Sequence, residues 1–287
     1  PPPPPAGGWD QRFRGLEGDP SGCGPTVDAW CGLMPTANAT LGRRAYTAST
    51  RFVDEWVGNV LQALDDTGLA NNTYVMFIAD HGDGQGDHYH WRKGFPYEFS
   101  SHVPFALRWP TTVTTRVARG SVLEPVVELR DVFPTALDIA GGTVPPDVLP
   151  RNGSSLLCLL QDPTGKSRPY LDLEHSTCYN ESNHWNALTD GRMKYIFRAF
   201  FAEEQLFNLT ADPYELVDLS ANPAYGDELA KWRQRLVTQF VNEHRGPVWV
   251  QNGTLMKRTE GQTYSPYFPK AVPVVGSSMM LAAQSGA

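Results

Sequence analysis

The sequence predicts an α/β fold with a mixed sheet flanked by helices, followed by a smaller α+β subdomain. Residues 43–67 carry apolar side chains at helical spacing, and Gly68 is a natural helix end. The apolar run at 74–79 follows closely and is typical of a buried strand. Beyond residue 145, several strand-like segments precede one amphipathic helix at 227–244. This order indicates antiparallel strands closed by a terminal helix.

Composition divides the chain into four predicted regions. Residues 1–42 are rich in Pro and Gly and read as a loop segment, whereas 43–145 contain the main α/β part. Residues 146–245 form the predicted C-terminal subdomain, and 246–287 form a weakly structured tail.

Further elements are expected inside these regions. A second strand is predicted at 105–109, and a helix at 124–140 that Pro134 should kink or restart. In the subdomain we expect strands at 170–173, 193–197 and 205–209. The turn Thr189-Asp-Gly-Arg192 precedes the second of these strands and indicates a hairpin.

Length, charge and hydropathy exclude some classes of function. The chain has 287 residues, 41% of them apolar, and no apolar run approaches the roughly 20 residues of a membrane span. A net charge of -7 argues against nucleic acid as the main partner. It does not exclude an anionic substrate, because a local site can oppose the overall field.

Glycosylation signals point to the secretory pathway, outside the cell or in a lysosome. Half of the asparagines lie in Asn-x-Ser/Thr sequons, although no signal peptide precedes them in this chain. The six sequon asparagines are Asn38, Asn71, Asn152, Asn180, Asn208 and Asn252. Cys23 and Cys31 flank a Gly/Pro-rich loop, and the sequence leaves open whether they form a disulfide.

The chemistry-bearing stretch follows the apolar run at 74–79. Asp80 and His81 stand where that strand should end, the edge of an α/β sheet at which sites form. Three glycines over 82–86 allow the backbone to approach a bound ion closely, and Lys93 adds a positive charge. The stretch therefore offers an oxygen ligand, a nitrogen ligand and an anion contact within one loop.

This stretch resembles the metal and sulfate loop of the sulfatase family, within the alkaline-phosphatase superfamily. The matching order is Asp-His-Gly, an acidic residue followed by His, Lys, Tyr-Glu and Val-Pro, over 80–104. Similar signatures occur at 131–141, 190–195 and 204–215. The resemblance covers roughly 43–245 and corresponds to the carboxyl portion of an N-terminally truncated, alkaline-phosphatase-like fold.

The resemblance implies hydrolysis of a sulfate ester with one Ca²⁺ and a formylglycine nucleophile. It implies that Asp80 and His81 are metal ligands and that Lys93 contacts the sulfate or its bridging oxygen. A sulfate-ester small molecule or a sulfated glycan is the expected substrate. His88 either approaches this substrate or bonds within its loop. His175 and His184 either line the pocket or bond to loops.

The chain departs from the family at the nucleophile. Cys23-Gly-Pro-Thr-Val27 imitates the Cys-x-Pro-Ser-Arg motif, but Val27 replaces the arginine, so we assign no nucleophile here. The family's paired aspartates and nucleophile are expected before Pro1. Two alternatives stay open: a phosphonate monoester or phosphodiester hydrolase of the same superfamily, and a non-catalytic remnant that binds carbohydrate or a protein partner.

Overall fold

The structure, a computed structural model, describes residues 30–142, 153–164, 168–176 and 183–260. These residues form two compact units. The first comprises the described residues up to Lys93 and those within Tyr97–Leu171; the second comprises Gly94–Pro96 and the described residues from Asp172 onward. The motif at 23–27 lies outside the described residues, and so does Cys23 of the possible disulfide with Cys31. The domain boundaries near 145 and 245 stay predictions.

The first helix, α1, confirms the predicted helix and extends it. It spans Thr36–Asp66, so part of the predicted loop segment 1–42 is helical. The extension starts directly after Pro35, whose fixed φ suits a helix entrance. The helix ends as predicted, since Gly68 adopts φ 71° just past the C-cap Thr67.

The apolar side of α1 is exposed in the described structure. Phe52, Trp56 and Val60 lie on this side, and more than half of each side chain is accessible to solvent. None of the residues of α1 is buried. Helical spacing thus predicted correctly which residues share a face. The expected burial of that face was not found in the described structure.

Strand β2, Val75–Ile78, forms where the apolar run predicted it, but its burial was predicted wrongly. It pairs in antiparallel register with β5, Phe105–Arg108, which confirms the second predicted strand. These two strands form a two-stranded sheet. Phe77 and Ile78 are exposed because neighbouring layers do not cover them among the described residues.

The predicted helix at 124–140 begins later than expected. A 3₁₀ turn at Leu129–Asp131 leads into α3, Val132–Ile139, and residues 124–128 are not helical. Glu128 and Asp131 form a capping box that sets this start. Pro134 neither kinks nor restarts the helix, because it lies in the first turn, where its missing N–H needs no partner.

Short elements complete the first unit. A small sheet has the order β1-β4-β3, built from β1 Trp30–Cys31, β3 Gly84–Gln85 and β4 His90–Arg92. The helices α2, Glu98–Ser101, and α4, Leu157–Gln161, lie in this unit too. The sequence did not predict this sheet, because its strands are only two or three residues long.

The second unit is built on a four-stranded sheet of order β6-β7-β8-β9. Its strands are β6 Leu171–His175, β7 Trp185–Thr189, β8 Met193–Arg198 and β9 Glu203–Asn208. The β7–β8 and β8–β9 pairs are antiparallel, and Gly191 adopts φ 82° in the predicted hairpin turn. The three predicted strands and the hairpin are therefore confirmed.

Helix α5, Gly226–Asn242, closes this sheet as predicted. Trp232, Leu236, Val237 and Phe240 are buried at helical spacing, whereas Val241 is exposed. A short hairpin of β10, Val250–Gln251, and β11, Thr254–Leu255, follows. None of the helices among the described residues has the length and apolar character needed to cross a membrane.

Candidate active site

The candidate metal ligands lie side by side just beyond β2. Asp80 exposes 84% of its side chain, and its carboxylate accepts a hydrogen bond from the His81 backbone N–H at 3.0 Å. The Nε2 atom of His81 lies 3.2 Å from Asp80 Oδ2. One oxygen and one nitrogen ligand therefore face the same small volume at the surface of the first unit.

A second contact orients the imidazole of His81. Its Nδ1 lies 2.9 Å from the carbonyl oxygen of Gly82. Because a carbonyl only accepts, Nδ1 carries the proton in this bond, so a cation lying between Nε2 and Asp80 Oδ2 would meet the lone pair of Nε2. Such a backbone contact commonly fixes the tautomer of metal-binding histidines.

The pair supplies only part of a calcium site. Ca²⁺ takes six to eight ligands, nearly all of them oxygens. Within the described ranges, His, Cys, Asp and Glu form no group of three or more that could hold a metal ion. Asp80 and His81 therefore supply at most two of the ligands that a Ca²⁺ ion takes, and such a site would need further oxygen ligands.

Two of the glycines serve close packing within the first unit. A Cβ on Gly82 would lie 1.9 Å from the carbonyl oxygen of Phe99, and the Gly82 N–H donates to Ser100 O at 2.9 Å. A Cβ on Gly84 would lie 2.7 Å from the carbonyl oxygen of His90. The missing side chains thus let the loop lie directly against α2 and β4.

The loop continues through an unusual run of backbone conformations. His88, Tyr89 and Arg92 adopt backbone φ angles of 52°, 63° and 72°, values that residues other than glycine seldom take. Gly86 and Gly94 also have positive φ. Strain of this kind concentrates at functional sites, where surrounding contacts hold it in place.

His88 lies inside an aromatic layer. Its side chain is buried, and its ring stacks on Tyr97 with centroids 4.0 Å apart and an interplanar angle of 11°. His90 is also buried and lies 6.0 Å from the same ring. The stack on Tyr97 is neither of the two roles predicted for His88, and both the bond within its loop and the contact with substrate stay predictions.

Lys93, by contrast, is available to a ligand. Lys93 is half-buried, and its ammonium group makes no hydrogen bond or ion pair with the described residues. The next residue, Gly94, adopts φ 91° and turns the chain. A positive charge without a partner among the described residues suits contact with an anion.

The other two predicted substrate residues lie in the second unit. The Nδ1 atom of His175 is 2.9 Å from the carbonyl oxygen of Asn183, and its ring stacks on Trp185. Burial lowers the pKa of His175 below its usual range. The structure thus shows the loop-bonding role for His175, and a substrate contact stays a prediction.

His184 is only 2% exposed and belongs to a buried polar cluster. The Arg258 Nε–H points to His184 Nε2 at 3.4 Å, and Arg258 also donates to Asn186. Burial, followed by the charge of Arg258, lowers the pKa of His184 to about 3. Its imidazole is therefore neutral at pH 7, and a substrate contact stays a prediction that this burial disfavours.

The burial of His184 predicts a pH dependence of stability. The unfolded chain binds a proton at His184 below its ordinary pKa of 6.5, whereas the folded chain resists it down to about 3. The stabilising contribution is complete above pH 6.5 and declines as the pH falls. The variant His184→Gln keeps an acceptor for Arg258 but has no imidazole to protonate. Between pH 7 and pH 4, the free energy of unfolding of this variant should therefore fall by about 3 kcal/mol less than that of the wild-type protein.

Urea unfolding at each pH measures this difference. His244→Gln, at an exposed histidine, is the matched control and should retain the wild-type pH slope. If the free energy of unfolding of His184→Gln depended on pH as steeply as that of the wild-type protein, the lowered pKa of His184 would be contradicted.

Sequence reasoning missed a buried ion pair. Lys194 lies in β8 with its Nζ 2.9 Å from Glu215 Oε1, and both side chains are essentially inaccessible to solvent. The signal was a lysine inside the apolar strand Met193–Arg198. Such a residue is buried only when a partner offsets the cost of removing its charge from water.

Comparison with known proteins places the chain in a family. Residues 26–142 match the Sulfatase family, and residues 86–242 match the family described as N-sulphoglucosamine sulphohydrolase, C-terminal. An arylsulfatase of Clostridium perfringens is 33% identical over 223 residues, which cover 78% of this chain and 45% of the relative. The choline-sulfatase of Rhizobium meliloti is 31% identical over 226 residues, covering 74% and 42%.

Solved structures agree with this assignment. A 2-O GAG sulfatase has a TM-score of 0.61 and 28% identity, covering 70% of this chain and 44% of that chain. The chain spans less than half the length of these relatives. Together, the mixed α/β fold and the matching solved structures define a fold of the alkaline-phosphatase-like class. Within that class, the chain belongs to the sulfatase family.

Proposed function

We propose that the protein hydrolyses sulfate esters and that this chain contributes part of the active site. The observation that carries the proposal is the loop Asp80–Lys93 beyond β2. It presents an exposed Asp80–His81 pair and a lysine without a partner among the described residues. Membership of the sulfatase family supports the choice of a sulfate ester as the substrate.

The described residues have distinct roles in this proposal. Asp80 and His81 would hold Ca²⁺ together with oxygen ligands from elsewhere in the protein. The ion would supply Lewis-acid polarisation of the sulfuryl oxygens when bound. Lys93 stabilises negative charge on the sulfate or on the oxygen that leaves. A formylglycine nucleophile would be supplied from outside the described residues.

Two relatives support a sulfated glycan as the substrate. One solved protein, 25% identical with a TM-score of 0.61, was captured with its substrate D-glucosamine-2-N,6-O-disulfate. Another is a 2-O GAG sulfatase. We extend this substrate class to the present chain as part of the proposal.

We also propose that the protein passes through the secretory pathway. Asn38, Asn71 and Asn252 are exposed at their sequons, which permits glycosylation. Asn208 is half-buried, and its side chain accepts a hydrogen bond from the Ala211 N–H at 3.1 Å, so it suits modification less. Enzymatic removal of N-glycans should change the electrophoretic mobility of the secreted protein. An unchanged mobility would contradict this proposal.

Sulfate release by the complete gene product tests the function. An aryl sulfate should be turned over, and chelation of Ca²⁺ should abolish turnover until the ion is restored. The matched aryl phosphonate monoester should be the poorer substrate, because the chain belongs to the sulfatase family, whereas a phosphonate monoester hydrolase at 23% identity shares only its fold. Faster turnover of the phosphonate, or none of either ester, would overturn the proposal.

A further inference from the structure

Three side-chain donors converge on the segment that directly follows Lys93. The carbonyl oxygen of Gly94 accepts a hydrogen bond from Asn183 Nδ2 at 2.8 Å and another from Trp185 Nε1 at 3.0 Å. Two residues later, the carbonyl oxygen of Pro96 accepts from Lys194 Nζ at 3.0 Å. We call Asn183, Trp185 and Lys194 the donor cluster.

The donors are held rigidly. All three are buried, and Trp185 and Lys194 lie on the paired strands β7 and β8. Lys194 is fixed by its ion pair with Glu215, and Trp185 stacks against His175. Donors on a packed sheet can hold a short segment more precisely than donors on a loop.

The segment that they hold has little other regular structure. Gly94 needs φ 91°, and Gly94–Pro96 belongs to neither a strand nor a helix. Side-chain hydrogen bonds therefore contribute to holding this segment in place.

We propose that the donor cluster positions Lys93, and this inference rests on the sulfatase function proposed above. Gly94 is bonded directly to Lys93. Fixing the carbonyl oxygen of Gly94 therefore restricts the backbone from which the lysine side chain departs. Catalytic groups must hold their geometry closely, since a displacement of about 1 Å can lower a rate roughly 100-fold. Asn183, Trp185 and Lys194 thus act through Lys93 as positioning residues and do not touch the substrate.

Hydrogen exchange tests the structural half of the inference without an activity assay. Trp185→Phe removes the indole donor and keeps an aromatic ring. In the complete protein, the amides of Gly94 and Phe95 should then exchange about tenfold faster, as expected for loss of one buried hydrogen bond. Asn183→Ala removes the second donor and should have a similar effect, which keeps the test valid if Trp185→Phe folds poorly.

Trp232→Phe is the matched control. Trp232 is also buried in the second unit, and its Nε1–H donates to Glu228 at 2.8 Å. Its replacement should leave exchange at Gly94 and Phe95 within about twofold of wild type, because its hydrogen bond lies elsewhere. Equal effects of the two tryptophan replacements would overturn the inference, as would unchanged exchange in Trp185→Phe and Asn183→Ala.

A double-mutant cycle tests whether the cluster acts through the lysine. Trp185→Phe should lower kcat for an aryl sulfate about tenfold, with little change in KM, because binding is retained and positioning is lost. In a Lys93→Ala background, the same replacement should lower kcat less than about twofold. An undiminished effect in that background would show an action independent of Lys93 and overturn the proposal. Inactivity of the wild-type protein would instead refute the sulfatase function, and the exchange experiment would still report on the cluster.

Discussion

Replacing Lys93 with alanine in the complete protein is expected to lower kcat for an aryl sulfate by about 100- to 1,000-fold, the usual cost of losing one preorganised electrostatic contact. The ammonium of Lys93 makes no hydrogen bond or ion pair with the described residues, so its removal breaks none of their contacts. The thermal unfolding midpoint should therefore stay near the wild-type value. Steady-state kinetics and a melting curve on the same samples measure both quantities.

The identity of the leaving group sharpens this experiment. If Lys93 stabilises charge on the departing oxygen, its loss should matter more for a sulfate ester with a more basic leaving group. The ratio of wild-type to Lys93→Ala kcat should therefore rise from a nitrophenyl sulfate to a phenyl sulfate. A constant ratio would assign the lysine to the non-bridging sulfate oxygens.

A matched control separates the role of Lys93 from a general effect of lost charge. Lys257 is exposed in the second unit, and Lys257→Ala removes the same charge from the chain. Its kcat and KM should stay within about twofold of wild type, as expected for a surface substitution away from the site. Equal losses in the two variants, or an unaffected Lys93→Ala enzyme, would contradict a direct role for Lys93.

Local sequence signals were sufficient where the cause of the structure is local. Gly68 ends α1 because the residue after the helix takes a left-handed conformation, and the Asp-Gly turn at 190–191 forms its hairpin for a similar reason. Asp80 and His81 are neighbours in sequence, so their proximity followed without knowledge of the fold. What the sequence could not supply was the contact of His81 with Gly82, which selects the tautomer.

Burial was harder to predict, because it depends on which layers cover an element. The apolar face of α1 and the exposed end of β2 carry the pattern of core elements, yet Phe52, Trp56 and Phe77 are exposed in the described structure. The reverse holds for His184, which was expected to face either a pocket or a loop and is buried beside Arg258. The residues that neighbour a side chain in sequence do not indicate which layers will cover it in the fold.

The donor cluster lay beyond sequence reasoning for a further reason. Lys194 and Pro96 are 98 positions apart, and Trp185 and Gly94 are separated by 91. Neither contact has a local pattern, since one partner in each is a backbone carbonyl that any residue could supply. The only visible signal was a charged residue within an apolar strand, which marks a buried group but does not name its partner.

That buried group gives the largest expected effect on stability. Lys194→Met keeps most of the side-chain volume but leaves Glu215, which is 1% exposed, without its cation at 2.9 Å. Breaking a buried ion pair from one side costs about 3–5 kcal/mol, because the remaining buried charge loses the partner of opposite sign. Urea unfolding should show a decrease of this size in the free energy of unfolding.

Two further variants decide whether the charge left on Glu215 is the cause of the lost stability. Lys194→Met combined with Glu215→Gln removes both charges and should recover more than half of the loss, since a neutral buried amide costs less than a carboxylate. Lys231→Met is the matched exposed case: Lys231 pairs with Glu228 at the same 2.9 Å, but on the surface of α5. It should cost no more than about 1 kcal/mol, because water screens an exposed pair. If the double variant were as unstable as Lys194→Met, lost packing or the lost bond to Pro96 would explain the effect better than the charge on Glu215.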